Sequence, residues 1–228
     1  MTANRPPIHI PISETPCAPA SVLRPMQKPS LIVFDLGKVL VDFDYSIAGR
    51  RVAALADLPE AAVQNFLERS PALVRFETGR ISAEEFYEEV RRATGFRGSF
   101  EQFASFFADI FWEIPEMVAL HRTLRERGFA TWIFSNTNPL AVGHIRRNFP
   151  FFSQFDGYIL SYEVHAMKPD AKIYEALEAR TGRRGAEVLY LDDRPENVAA
   201  GAARGWQVIL QESPQTTLAA IRRLGLPV

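Results

Sequence analysis

The sequence predicts an α/β fold: a doubly wound parallel sheet, Rossmann-like in layout, with a separate helical insert after its first strand. Three observations carry this. Short apolar runs alternate with helical patterns from residue 30 onward, the helices have readable ends, and one long segment, 46 to 113, breaks the rhythm with helical patterns alone.

The first run, LIVFD (31 to 35), is aliphatic and aromatic and too short for a helix, so it reads as a buried strand. Four similar runs follow: FATWIFS (129 to 135), YILS (158 to 161), VLYLD (188 to 192) and WQVIL (206 to 210). Between them, one helix starts at Pro115 and stops before Gly128, a second begins at Pro139, a third spans Pro169 to Gly182, and a fourth runs from Pro195 to about Arg204. Such βαβ repetition implies parallel strands, with ligands at their carboxyl ends. Asp35, Ser135, Asp192 and Asp193 all fall at such ends.

Segment 46 to 113 shows no convincing strand. It carries capping boxes at Ser82–Glu85 and Ser99–Gln102 and a closing glycine at Gly95. Nine of the 17 phenylalanines lie in it, and Phe100, Phe103 and Phe107 read as the core stripe of a small bundle. The expected organisation is a proline-rich flexible tail over 1–29, an α/β core formed by 30–45 and 114–228, and a helical insert over 46–113.

Composition bounds the function. The 228 residues are 47% hydrophobic and 23% charged, enough for a sizeable core. Twenty-six Lys and Arg against 27 Asp and Glu create no global field for nucleic acid or an anionic membrane, so the expected partner is a small molecule bound locally. A single cysteine, Cys17, cannot form an internal disulfide, and no apolar stretch reaches spanning length. The expected setting is the cytoplasm, as a monomer or homodimer.

Four stretches carry chemistry: FDLGKVLVDFD (34 to 44), FSNTN (134 to 138), MKPDAKIY (167 to 174) and LDDRPEN (191 to 197). Asp35 at a strand terminus could attack phosphorus and split one displacement into two, although alone it also fits a turn aspartate. Ser135 and Asn136 follow a buried strand, where hydroxyl and amide groups can hold phosphoryl oxygens. Lys168 precedes Pro169, so its ammonium and a helix N-terminus are expected to meet at one anion site. Adjacent carboxylates at Asp192 and Asp193, brought near Asp35 by a parallel sheet, would repel without a cation, and Mg²⁺ suits such hard oxygen ligands.

In this order and at these spacings the four stretches resemble the haloacid dehalogenase superfamily of hydrolases, over about residues 30 to 228. The resemblance implies that the helical insert is a type 1 cap closing over the substrate. It also implies that Asp35, the backbone carbonyl of Gly37 and Asp193 ligate Mg²⁺, with Asp192 a ligand or its supporting partner. The superfamily's phosphatases usually carry an aspartate where this chain has Gly37, to protonate the leaving oxygen and later activate water. DLGKVL is closest to a bacterial branch acting on glucose 1-phosphate, whose leaving group needs less protonation. Three functions therefore stand open: a Mg²⁺-dependent phosphatase of a small phosphorylated metabolite, a metal-free 2-haloacid dehalogenase, and a binding protein without catalysis. Lys38 reads as a surface ion pair, His165 as structural, and Asp42 and Asp44 as weak substitutes for the missing acid.

Overall fold

The computed structural model describes residues 28 to 228. All but the last two positions of the proline-rich tail therefore lie outside the described residues. In chain order the elements are β1 (Leu31–Phe34), β2 (Val41–Phe43), α1 (Tyr45–Ala53), α2 (Glu60–Arg69), α3 (Pro71–Glu77), α4 (Ala83–Thr94), α5 (Phe100–Ala108) and β3 (Phe111–Glu113). There follow α6 (Pro115–Glu126), β4 (Ala130–Ser135), α7 (Pro139–Asn148), β5 (Gly157–Leu160), α8 (Ser161–Val164), α9 (Ala171–Thr181), β6 (Val188–Asp192), α10 (Pro195–Ala203), β7 (Gln207–Leu210) and α11 (Pro214–Arg223).

Five strands form a parallel sheet in the order β5-β4-β1-β6-β7. The central strand β1 is buried throughout, which explains its unbroken apolar run. Its side chains alternate between two cores. Ile32 and Phe34 pack with Ile133, Leu189, Leu191 and residues of α6, α7 and α11. Leu31 and Val33 pack on the opposite side with Phe134, Tyr190, Trp206 and the Ile173, Tyr174 and Leu177 stripe of α9.

Helices α1 to α5 gather around a third core. Phe76 stacks on Phe86 at 4.8 Å and Phe103 on Phe107 at 5.6 Å. Both capping boxes form, and Gly95 closes α4 at φ +71°. Phe100, expected in the stripe, is only partly covered and meets Tyr87 edge-on instead.

The structure corrects the sequence reading in three places. Segment 46 to 113 does contain a strand: β3 pairs antiparallel with β2, Val41 opposite Glu113 and Phe43 opposite Phe111. Strands of three residues carry no periodicity and exist only through this mutual pairing. The third core helix begins at Ala171 rather than Pro169, because Asp170 is its N-cap and accepts from the Lys172 amide. The run YILS ends at Leu160, and Ser161 opens a short helix. Among the described residues no helix is long and apolar enough to cross a membrane.

Candidate active site

Strands β4, β1 and β6 are neighbours, so their carboxyl ends bring Ser135, Asp35 and Asp192 side by side. Asp35 follows β1 directly and is 8% exposed; its carboxylate accepts from the Leu36 amide at 2.6 Å. Lys168 enters from the loop before α9 with an almost wholly buried side chain. Its ammonium lies 3.0 Å from Asp35 Oδ1 and 2.6 Å from Asp192 Oδ2, and it donates to the Phe134 carbonyl at 2.8 Å. Helix α9 starts three residues after Lys168, with Asp170 as its N-cap, and the peptide joining Lys168 to Pro169 is cis.

Asp192 is fully buried and its oxygens are heavily used. They accept from Lys168, from the Tyr190 hydroxyl, from the Arg194 amide at 2.8 Å and from Asn197 Nδ2 at 3.0 and 3.2 Å. Burial penalises its carboxylate, but Lys168 and the hydrogen bonds hold it below the usual range. Asp35 goes the other way, since burial pushes it up against the pull of Lys168, with Asp192 and Asp193 adding repulsion. Burial also disfavours the Lys168 ammonium, yet Asp35 and Asp192 together keep it above its ordinary value. Asp193 is half-buried and raised, by burial first and by Asp192 second.

Oxygens of Asp35, Asp192 and Asp193 lie within 4.8 Å of one another. The donors are all hard oxygens, and the buried Oδ1 of Asn197, a residue lining the same cavity, meets no hydrogen-bond partner among the described residues. Three carboxylates against the single Lys168 ammonium, with an orphaned carbonyl oxygen beside them, fit a small divalent cation.

Asn136 and Lys168 clasp each other: the Lys168 amide donates to Asn136 Oδ1 at 2.7 Å and Asn136 Nδ2 donates to the Lys168 carbonyl at 3.0 Å. The Asn136 side chain thus holds the lysine loop. Ser135 is 2% exposed, and its hydroxyl reaches only the Asn136 carbonyl at 3.3 Å. The next residue, Thr137, is fixed by Ser161 through bonds of 2.9 and 3.0 Å.

Above these groups is a cavity of about 270 Å³. Its floor is Asp35, Lys168, Asp193 and Asn197; its roof is Tyr45 of α1, Glu68 of α2, and Leu73 and Glu77 of α3. A smaller recess of about 80 Å³ opens beside Gly37 and is bordered by Phe43, Ser135, Asn138 and again Glu77. A haloacid dehalogenase-like hydrolase model matches residues 29–205, most of the chain. The chain belongs to this family.

Relatives of this HAD-like hydrolase include the sesquiterpene phosphatase AstK of Aspergillus oryzae, 28% identical over 76% of this chain and 85% of that protein. A D-ribitol-5-phosphate phosphatase of Bacteroides thetaiotaomicron is 24% identical over 80% of this chain and 91% of its own length. Among solved structures, a HAD family enzyme of Bacteroides thetaiotaomicron in complex with magnesium and inorganic phosphate superposes with a TM-score of 0.71, at 22% identity over 80% of this chain and 94% of the other.

Asp35, Lys168, Asp192, Asp193, Gly37, Ser135 and Asn136 all stand at this one place in the HAD-like hydrolase. Other residues flagged in the sequence stand at its edge or outside it. Lys38 forms an ion pair with Asp42 on the rim, Asp44 caps α1, and His165 Nδ1 donates to the Thr78 carbonyl, 3.0 Å away. Sequence reasoning missed Tyr45, Glu68, Asn197 and Glu77. One signal for Glu77 exists: it follows Leu73 and Phe76 at i+4 and i+1, placing an acid on the edge of an apolar helical stripe.

Proposed function

We propose that the protein is a Mg²⁺-dependent phosphatase of a small phosphorylated metabolite, a sugar or polyol phosphate being the class that suits the cavity. The observation that carries this reading is the convergence of three carboxylates within 4.8 Å, with the buried Lys168 ammonium between two of them. Asp35 attacks phosphorus in line, the ester oxygen leaves, and an aspartyl-phosphate forms; water then attacks phosphorus and returns Asp35 with free phosphate. Lys168 neutralises charge on the phosphoryl oxygens and on Asp35, and Ser135 with the amides after β4 supplies further donors. Asn136 holds the Lys168 loop, and Asp192 holds the lysine itself.

Asp35, the Gly37 carbonyl and Asp193 would hold the cation, Asp192 supporting them. When bound, Mg²⁺ supplies electrostatic stabilisation of the phosphoryl oxygens. Support also comes from the magnesium and phosphate bound by the superposed Bacteroides enzyme and from the phosphatase names of both relatives. Helices α1 to α5, the segment 46–113, serve in this reading as a cap that selects substrate and excludes water.

A second reading follows from Gly37. A dehalogenase attacking carbon needs no acid there, but it also needs no cation and leaves Asp193, beside the lysine-holding Asp192, without a purpose. The deciding experiment measures phosphate release from a metabolite library with and without Mg²⁺, and chloride release from 2-chloropropionate. Phosphate release that requires Mg²⁺ and vanishes in Asp35→Asn supports the phosphatase; chloride release without metal overturns it.

A further inference from the structure

A leaving alkoxide needs a proton, and the groups on the cavity floor are already committed. Asp35 is the nucleophile of the proposed reaction, Asp193 belongs to the cation site, and Lys168 is bound to two carboxylates and a carbonyl. Gly37 has no side chain to offer, and Phe43 fills the space one would take: a Cβ there would stand 2.8 Å from the ring. Lys38 is tied to Asp42 and Arg194 to Glu196, while the Tyr45 phenol is held far above its ordinary value by burial and by Glu77 and Glu68. Two acids remain on the roof. Glu68 borders the large cavity alone, whereas Glu77 borders both the large cavity and the recess beside Gly37.

We propose that Glu77 is the general acid and base of this enzyme, reaching from α3 to the recess beside Gly37, where that glycine supplies no proton donor. The inference rests on the phosphatase reading. Glu77 protonates the ester oxygen as its bond to phosphorus breaks and Asp35 Oδ bonds to phosphorus, leaving alcohol, aspartyl-phosphate and a Glu77 carboxylate. That carboxylate then takes a proton from water as the water oxygen bonds to phosphorus and the bond to Asp35 breaks, which restores both residues.

The structure holds Glu77 in place for this. Directly after it, the Thr78 carbonyl is bonded to His165, and Gly79, at φ +63°, lies so close to the Tyr162 carbonyl that a Cβ would come within 2.2 Å of it. The end of α3 is thereby pinned to the loop and helix that follow β5. Asn138, the N-cap of α7, borders the same recess as Glu77, where its side-chain amide favours the ionised carboxylate. Among the described residues no cation pairs with Glu77. The groups around it are Tyr45 from α1, Glu68 from α2, Asn138 from α7 and His165 after α8, with Lys38, Asp35, Lys168, Asp193 and Arg194 across the cavity. Burial pushes its carboxyl up to about 7 against the opposing pull of the Asn138 amide, a value suited to giving and taking a proton near neutrality.

The test compares wild type, Glu77→Gln and Glu77→Asp on p-nitrophenyl phosphate, whose leaving group needs no proton, and on an alkyl phosphate, with Mg²⁺ present. Glu77→Gln is expected to lower kcat on the alkyl ester by about 10²–10⁴-fold. On the aryl ester it should give a stoichiometric burst of p-nitrophenolate followed by slow turnover, because only the second step then lacks its base. The wild-type alkyl rate should fall above about pH 7, Glu77→Asp should keep part of that limb, and Glu77→Gln should lose it. Equal losses on both esters without a burst, or no loss at all with unchanged melting temperature, overturn the role of Glu77 while leaving the phosphatase intact. Absence of phosphate release from either ester by the wild type overturns both.

Discussion

A side-chain carbon on Gly37 would lie 2.8 Å from Cε1 of Phe43, closer than packed carbons tolerate. The glycine and the ring are therefore one packing unit. Gly37→Ala is expected to cost roughly 1–3 kcal/mol, as overpacking does, and much less when Phe43 is also alanine. Urea unfolding of the four chains of this cycle measures the coupling, and an equal penalty in both backgrounds would contradict it.

Lys168 is the sole neutralising charge for two buried carboxylates among the described residues. Removing one partner of a buried ion pair leaves the others unpaired, so Lys168→Met should lose about 3–5 kcal/mol of stability and all phosphate release. Denaturant midpoints with a phosphate assay check both; a variant as stable as wild type would mean that Asp35 and Asp192 are not ionised together.

At Asp193 stability and function should move in opposite directions. Burial and Asp192 raise this carboxyl, so its ionised form weighs against the folded state, an effect absent below the unfolded value of 3.8 and growing as pH rises through the higher folded value. Asp193→Asn is expected to melt at or above the wild-type temperature without metal, yet to bind Mg²⁺ at least about tenfold more weakly, the low end of what even a supporting group contributes. Calorimetric titration and metal-free melting curves give the two readouts, and unchanged Mg²⁺ affinity would remove Asp193 from the cation site.

His121 makes the protein sensitive to acid away from the cavity. Its ring is fully buried, stacked on Phe155 at 3.8 Å, with Nε2 3.2 Å from Thr131 Oγ1 and no partner at Nδ1. Burial holds it down to about 4, with the Arg125 charge adding to the effect. Unfolded chains take up this proton near 6.5, so the stability linked to the neutral ring is complete above pH 6.5 and is lost as pH falls toward 4, on the order of 3 kcal/mol. Glu77 works in the reverse sense: its raised value favours the folded chain below 4.5 and ceases to do so as pH rises through about 7. The difference between wild type and His121→Gln in denaturant midpoints from pH 7.5 to 4 isolates the histidine; a constant difference would refute its part.

Much of the sheet was legible because β1 and β6 are covered on both faces and so read as unbroken apolar runs ending in Asp35 and Asp192. A strand end marks a position in space as well as in sequence, which is why residues far apart in the chain could be expected to meet. Lys168 was legible as a charge but not as a buried one, since its setting depends on the Asn136 clasp and on where α9 begins. Asp192 gave no sign that its oxygens would be taken up by Tyr190 and Asn197. Glu77 was hidden for a different reason: its meaning comes from the recess beside Gly37, which four separate stretches of the chain create.

Residues 44 to 110 leave the parallel sheet and return to it through β2 and β3, and these two strands are hydrogen-bonded to each other along their whole length. Paired connections cannot bend independently, so the two ends of the helical unit are tied to one another where they meet the rest of the molecule. Both ends of the helical unit are thereby joined to each other beside β1, and a disulfide staple across the ribbon is expected to leave the placing of Glu77 over the cavity unchanged.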